Sequence, residues 1–276
     1  MFGRGIELKT PEQIAVMRRA GLVVAHTLDA VQEAARPGVT TAELDAIARA
    51  SIAQHGATSN FLDYGGWGDV PGFAGVICTS VNEEVVHGVP GERVLAEGDV
   101  VSIDCGAIVE GWHGDAARTF GVGELDPADR RLVEVTEQAL WAGIAAGGLG
   151  RRIGDIGHAI SAHAVQAGEY GIADGFTGHG IGTAMHQAPD VPNVGRPGRG
   201  PKIVEGLVIA IEPMFIAGDD RTRTLEDEWT VVSVDGARAA HWEHTVTWTS
   251  AGPWVLTAHD GGRARLAELG LPCGAP

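Results

Sequence analysis

Two distant segments, EGDVVSID at 97–104 and EGLVIAIE at 205–212, share E-G-x-V, a β-branched pair and a terminal acid at an offset of 108 residues. A weaker helical echo, LDAIARA at 44–50 against IGDIGHA at 153–159, recurs at a similar offset. Two amphipathic strands can converge by chance, but the same helix–helix–strand order in both halves favours an internal duplication. The unit is too long for a solenoid repeat. The chain is therefore expected to fold as one domain over 1–276, with similar halves at about 8–125 and 126–249 facing each other across a shared cleft. A length of 276 residues is ample for a buried core.

Helix signals are clear in the first half. Thr10-Pro11 offers an N-cap and a first-turn proline. Ile14, Met17, Gly21, Val24, Leu28 and Val31 then form one apolar stripe, closed by Pro37-Gly38. Thr40 and Glu43 fit a capping box that opens TAELDAIARASIAQHG. Asp126-Pro127 starts a third helix, and Ile156, Ile160, His163 and Ala167 mark a fourth. The stretches GVICTSV, DVVSIDCGAIV, GLVIAIEPMFIA, EWTVVSV and AHWEHTVTWT are rich in β-formers. Strands grouped apart from helices predict an α+β fold rather than regular βαβ winding. The Gly-, Ala- and Pro-rich residues 250–276 are expected to form a loosely held C-terminal tail.

Composition excludes several classes. The net charge of −16 disfavours nonspecific nucleic-acid binding, which rewards clustered Lys and Arg. Arg151-Arg152 and the Arg196–Lys202 loop are small basic clusters, read as solvated. No run approaches the roughly 18 apolar residues of a membrane span, and MFGRGIELKTPEQ lacks the apolar core of a secretory signal. Cys78, Cys105 and Cys273 make no CxxC pair and cannot all pair off, which suits a reducing, cytoplasmic setting. There is no GxSxG, HExxH or P-loop.

The informative residues are acids at strand ends. Asp104 and Glu212 hold equivalent places in the repeat, both on apolar strands. Read as a hairpin with a Glu110-Gly111 turn, IDCGAIVEGWHGDAA places Asp115 opposite Gly106 and diagonal to Asp104. HWEHTVTW puts Glu243 on a further strand with Thr245 and Thr247 on its face. Any one of the four could be a solvated strand residue. Clustered, four negative charges would repel by several kcal/mol unless neutralised, and two divalent cations balance them. Oxygen-rich ligands plus an imidazole suit Mn, Fe(II), Co or Zn. The glycine-rich GHGIGTAMHQAP contributes His179 and His186, with glycines expected to allow close backbone approach and unusual φ.

NEEVVHGVP, SIDCGAIVEGWHGD, GHGIG, AIEPM and WEHTV, in this order over residues 8–249, resemble the methionine aminopeptidases of the pita-bread metallohydrolase family. The resemblance implies two divalent metal ions held by Asp104, Asp115, His179, Glu212 and Glu243, with Asp115 and Glu243 bridging. It implies that His87 and His186 contact substrate outside the metal shell, with Glu212 also shuttling a proton. Phe73, Cys78 and Trp229, with Met185 beside His186, match the apolar lining, though they would serve equally as core. The 33-residue gap from His179 to Glu212 and the start close to the first helix resemble a short type 1 enzyme without a zinc-finger extension. NFLDYGGWGDVPGF departs from the family's usual run, with Val70 where an aromatic is common. The implied activity is removal of methionine from the N-termini of nascent polypeptides when the second residue is small, by a monomer near the ribosome. The alternatives are an X-Pro aminopeptidase or prolidase-like enzyme, which usually carries an extra N-terminal domain, and a non-catalytic pita-bread binding protein, which has lost metal ligands.

Overall fold

The computed structural model of the chain describes residues 5–66, 68 and 71–276; Val70 lies outside them. Helix α1 (Pro11–Ala34) opens on a reciprocal cap. Thr10 Oγ1 accepts from the Gln13 N–H at 3.3 Å, and Gln13 Oε1 accepts from the Thr10 N–H at 2.8 Å. Its predicted stripe is buried throughout. Helix α2 (Thr41–Gln54) uses the Thr40–Glu43 box in the same way. Strands β1 (Thr58–Ser59), β2 (Ile77–Val81) and β3 (Glu84–Val86) precede the long hairpin of β4 (Val100–Val109) and β5 (Trp112–Gly121). Its turn residues, Glu110 at φ 50° and Gly111 at φ 81°, supply the two left-handed positions that a two-residue hairpin turn needs. The hairpin register sets Gly106 opposite Asp115, as expected. On the other edge of β4, β2 sets Cys78 opposite Asp104. The first core lies between these strands and α1 and α2, around Leu28, Leu44, Ile77 and Ile103.

The second half repeats the plan. Helices α3 (Pro127–Ala146) and α4 (Ile153–Ala167) lead into β6 (Gly171–Ile172), β7 (Thr177–Gly180), β8 (Gln187–Pro192) and β9 (Val208–Ile211). Then come β10 (Met214–Ile216), β11 (Thr222–Thr224), β12 (Val231–Ser233), β13 (Ala239–His241), β14 (His244–Thr249) and β15 (Gly252–Val255). A five-stranded sheet of order β15-β14-β9-β7-β8 packs on α3 and α4 through Leu140, Ile156, Ile209 and Val246. The like segments fold alike: Val100 and Val208 open β4 and β9, preceded by Gly98 at φ 83° and Gly206 at φ 84°. The same turn bond precedes each, from the Asp99 N–H to the Ala96 carbonyl and from the Leu207 N–H to the Val204 carbonyl.

Two stretches expected as continuous strands are broken. β9 ends at Ile211 and β10 resumes at Met214, while β13 ends at His241 and β14 begins at His244. The breaks face each other, because Ile211 pairs with His244 and Met214 with His241 in one unshifted register. Pro213 has no N–H to give the ladder, and Glu212 and Glu243 occupy the gap. Glu243 therefore precedes the strand that carries Thr245 and Thr247 instead of sharing it. Its N–H donates to the Ala117 carbonyl of β5 at 2.9 Å.

The C-terminal segment also departs from expectation. Residues 250–276 do not form a loose tail: β15 pairs with β14, and α5 (Arg263–Glu268) folds back so that Val255, Leu256 and Leu266 are fully buried. Three well-placed apolar side chains anchor a segment whose average composition reads as disordered. Leu266→Ala should cost about 2–5 kcal/mol, read as a lowered midpoint in urea denaturation; an unchanged midpoint would mean the segment adds nothing to the core. Among the described residues no helix is long and apolar enough to cross a membrane.

Candidate metal centre and its cleft

All five predicted metal-ligating residues line one cavity of about 280 Å³, as do His87, His186, Phe73, Cys78, Met185 and Trp229. Asp104 and Asp115 arrive from the β4–β5 hairpin, His179 from β7, and Glu212 and Glu243 from the facing gap. Ligating atoms of Asp115, His179 and Glu243 lie within 4.8 Å of one another. His179 Nε2 is 3.4 Å from Glu212 Oε1 and 3.9 Å from Glu243 Oε1. Thr245 helps fix the frame: its Oγ1 donates to the Asp115 carbonyl at 2.7 Å and accepts the Asp115 N–H at 3.1 Å. Asn193 Nδ2 donates to the Glu212 carbonyl at 3.0 Å.

The electrostatics call for a cation. Asp104 Oδ1, Asp115 Oδ1 and Glu243 Oε1 are buried and have no hydrogen-bond partner among the described residues, an expensive arrangement for carboxylates surrounded only by protein. With no other charge to compensate, burial and the neighbouring Glu212 push Asp104 up to about 7 despite opposition from His241. Burial takes Glu212 to about 8. Burial and mutual repulsion drive Asp115 and Glu243 well above the carboxylate range. Burial, with His186 adding repulsion, lowers His179 to about 3, so its imidazole is neutral. The contact between His179 Nδ1 and the Gly180 carbonyl, 3.0 Å, requires the proton on Nδ1. Nε2 then presents a lone pair to carboxylate oxygens that also carry lone pairs. Such facing acceptors are what a divalent ion ligated by nitrogen and oxygen satisfies.

The glycines around His179 work by close approach alone. A Cβ on Gly178 would stand 2.4 Å from the Ala210 carbonyl oxygen, and one on Gly180 would stand 2.3 Å from that of Ala188. Neither has a positive φ, so the expected unusual backbone angles are not the reason for them. The positive φ instead falls on His87, at 59°, a position that a non-glycine side chain occupies at some cost and that recurs at functional sites. Burial lowers His87 to about 4. His186 packs edge-on to His179 with ring centroids 4.3 Å apart. Tyr64 Oη lies 2.5 Å from His186 Nδ1.

The apolar wall is a small core of its own. Phe61, Phe73, Cys78 and Met185 are buried together, with Trp229 packed edge-on to Phe73 at 5.4 Å. Sequence reasoning missed Phe61, Tyr64 and His241. His241 is buried with Nε2 3.6 Å from Glu212 Oε2. Its place two residues before Glu243 was a usable signal, since alternate residues of an extended segment face one side. Tyr64 and Phe61 fall in the departing NFLDYGG run, where no periodicity points inward.

Four acids and imidazoles around one cavity define a site for divalent cations. The model of metallopeptidase family M24 matches residues 15–250. The chain is similar to methionine aminopeptidase 1 of Mycobacterium tuberculosis, 48% identical over 260 residues, covering 92% of this chain and 96% of that one. It is 47% identical to the methionine aminopeptidase of Clostridium acetobutylicum over 253 residues, 91% and 98% of the two chains. The crystal structure of methionine aminopeptidase from Thermotoga maritima superposes with a TM-score of 0.88 at 39% identity, covering 92% of this chain and all of that one. The chain belongs to metallopeptidase family M24, among its methionine aminopeptidases, and its α+β architecture is the pita-bread fold.

Proposed function

We propose that the protein is a metal-dependent aminopeptidase that removes the N-terminal methionine of nascent proteins and peptides when the second residue is small. The observation that carries this reading is the meeting, in one cavity, of a carboxylate–imidazole cluster with an apolar wall. Asp104, Asp115, His179, Glu212 and Glu243 would hold two divalent ions of the Mn, Fe(II), Co or Zn class, Asp115 and Glu243 reaching both. When bound, these ions supply Lewis-acid polarisation of the scissile carbonyl and acidify water.

The remaining work falls to the chain. Glu212, whose carboxyl reaches the cavity beside His179 and His241, accepts a proton from the attacking water and passes it to the leaving amine. His87 and His186 are held neutral by burial, so each can donate one N–H to the peptide as negative charge builds on the carbonyl oxygen. Tyr64, by donating to His186 Nδ1, keeps the His186 proton on Nε2. Phe61, Phe73, Cys78, Met185 and Trp229 form a pocket for an unbranched, polarisable side chain. Its lining carries no charge, so charged first residues are rejected.

In the same reading the halves 8–125 and 126–249 make up one catalytic domain. The enzyme acts as a cytoplasmic monomer close to the ribosome, where new N-termini emerge.

The decisive test incubates metal-loaded protein with Met-Ala-Ser and Ala-Pro-Ala and follows the free amino acid. Methionine from the first peptide and nothing from the second is expected. Release from Ala-Pro-Ala alone would favour the X-Pro reading, and release from neither the binding protein. Because His87 and His186 crowd the scissile bond, Met-Ala peptides should be cleaved with much higher kcat/KM than Met-Arg peptides. Equal values would remove the small-second-residue rule.

A further inference from the structure

A second group of ligating side chains lies outside the cavity, where α1, the end of α2 and the turn between β15 and α5 meet. His26 and Asp29 stand three residues apart on α1 and so share a face. His259, from the C-terminal segment, reaches them: its Nε2 is 2.6 Å from Asp29 Oδ2, and its ring centroid is 4.7 Å from that of His26. Ligating atoms of His26, Asp29 and His259 all fall within 4.8 Å of one another. His55 stacks on His26 at 5.1 Å and 5°. Its Nδ1 is engaged by the Ser51 carbonyl at 2.8 Å, which leaves Nε2 free.

The arrangement is held from behind. Arg18 binds the carbonyls of Leu256 and Ala258 at 2.6 Å each and that of His259 at 2.8 Å, fixing the turn against α1. Arg118 takes the other oxygen of Asp29 at 2.8 Å, so Oδ2 is the oxygen left to the imidazoles. Burial and the neighbouring rings of His259 and His55 lower His26, which favours the neutral, ligating form. Nothing in peptide hydrolysis uses these residues, and none of them lines the cavity.

We propose that His26, Asp29 and His259 form a second, exposed site for a divalent transition ion, with His55 flanking it. Two imidazoles and one carboxylate suit zinc, nickel or copper over magnesium or calcium. On binding, the ion takes the Nε2 lone pair of His259 and Oδ2 of Asp29 in place of the hydrogen bond between them, the imidazole proton moving to Nδ1. The bound ion fastens the C-terminal segment to the first helix.

The probe is zinc chloride added to the full-length protein, with bound zinc counted by elemental analysis after equilibrium dialysis. Wild type is compared with His26→Gln, His259→Gln and His179→Ala. His26→Gln and His259→Gln should each bind one zinc fewer, or bind it more weakly by at least the roughly 10–100-fold seen when a supporting residue is removed. Their methionine release should stay at the wild-type level. His179→Ala should keep the equivalent that the other two lose, which separates this site from the cavity. Should either glutamine variant fail to fold, wild type alone still decides: zinc must shift the imidazole proton resonances of His26 and His259. Equal zinc stoichiometry and affinity in wild type and both variants, or unshifted resonances, would overturn the proposal.

Discussion

Asp115→Asn is expected to lower kcat/KM for Met-Ala-Ser by more than about 100-fold and to weaken the binding of both metal ions. Asp115 sits on β5 opposite Gly106, with its backbone N–H and carbonyl both held by Thr245 and its side chain buried at the cluster. Its Oδ1 is buried without a partner among the described residues. Asparagine keeps the shape and removes one negative charge from a site built around four. The substitution also relieves carboxylate repulsion, so the apo variant should be no less stable than the apo wild type. Turnover near wild type with two tightly held ions in Asp115→Asn would end the dinuclear reading.

The second large effect separates two histidines whose rings nearly touch. His186→Ala should retain both ions and the native fold yet lose roughly 10²–10³-fold in kcat, the range for deleting one donor to a developing oxyanion. His179→Ala should lose metal instead, and excess cation should restore activity only in part. The structural basis is the direction of each proton. His179 spends Nδ1–H on the Gly180 carbonyl and aims a lone pair at the acids. His186, which lines the same cavity, is held at Nδ1 by Tyr64, which leaves its Nε2–H to meet the peptide. Metal content and kcat measured on the two variants decide the assignment. Metal loss from His186→Ala, or full occupancy in His179→Ala, would reverse it.

Much of this was legible because local chemistry and global position agree. Thr10, Thr40 and Asp126 cap helices where expected, and the Glu110-Gly111 turn fixes a register that brings Asp104 and Asp115 together. The breaks at Glu212 and Glu243 were not legible as breaks. Both runs remain β-rich across them, and only the pairing of one gap with the other gives the interruption a purpose. The C-terminal residues misled through their average composition, since burial there depends on three side chains. Phe61 and Tyr64 were hidden because a loop carries no period to read. The meeting of His26 and Asp29 with His259 depends on long-range packing that no local pattern encodes.

The identical turns at Gly98 and Gly206 have a thermodynamic consequence. In the proposed reading each half would deliver part of the donor set: Asp104 and Asp115 from one, His179, Glu212 and Glu243 from the other, all of which line one cavity. Neither half alone offers more than a fragment of the site, so an ion's affinity measures how firmly the halves are docked. By mass action a ligand at 100 times its Kd adds about 2.7 kcal/mol to the native state, and here that increment acts on the seam between two separate cores. Chelation should therefore do more than silence the enzyme. It should let the halves melt in separable steps where the loaded protein melts in one.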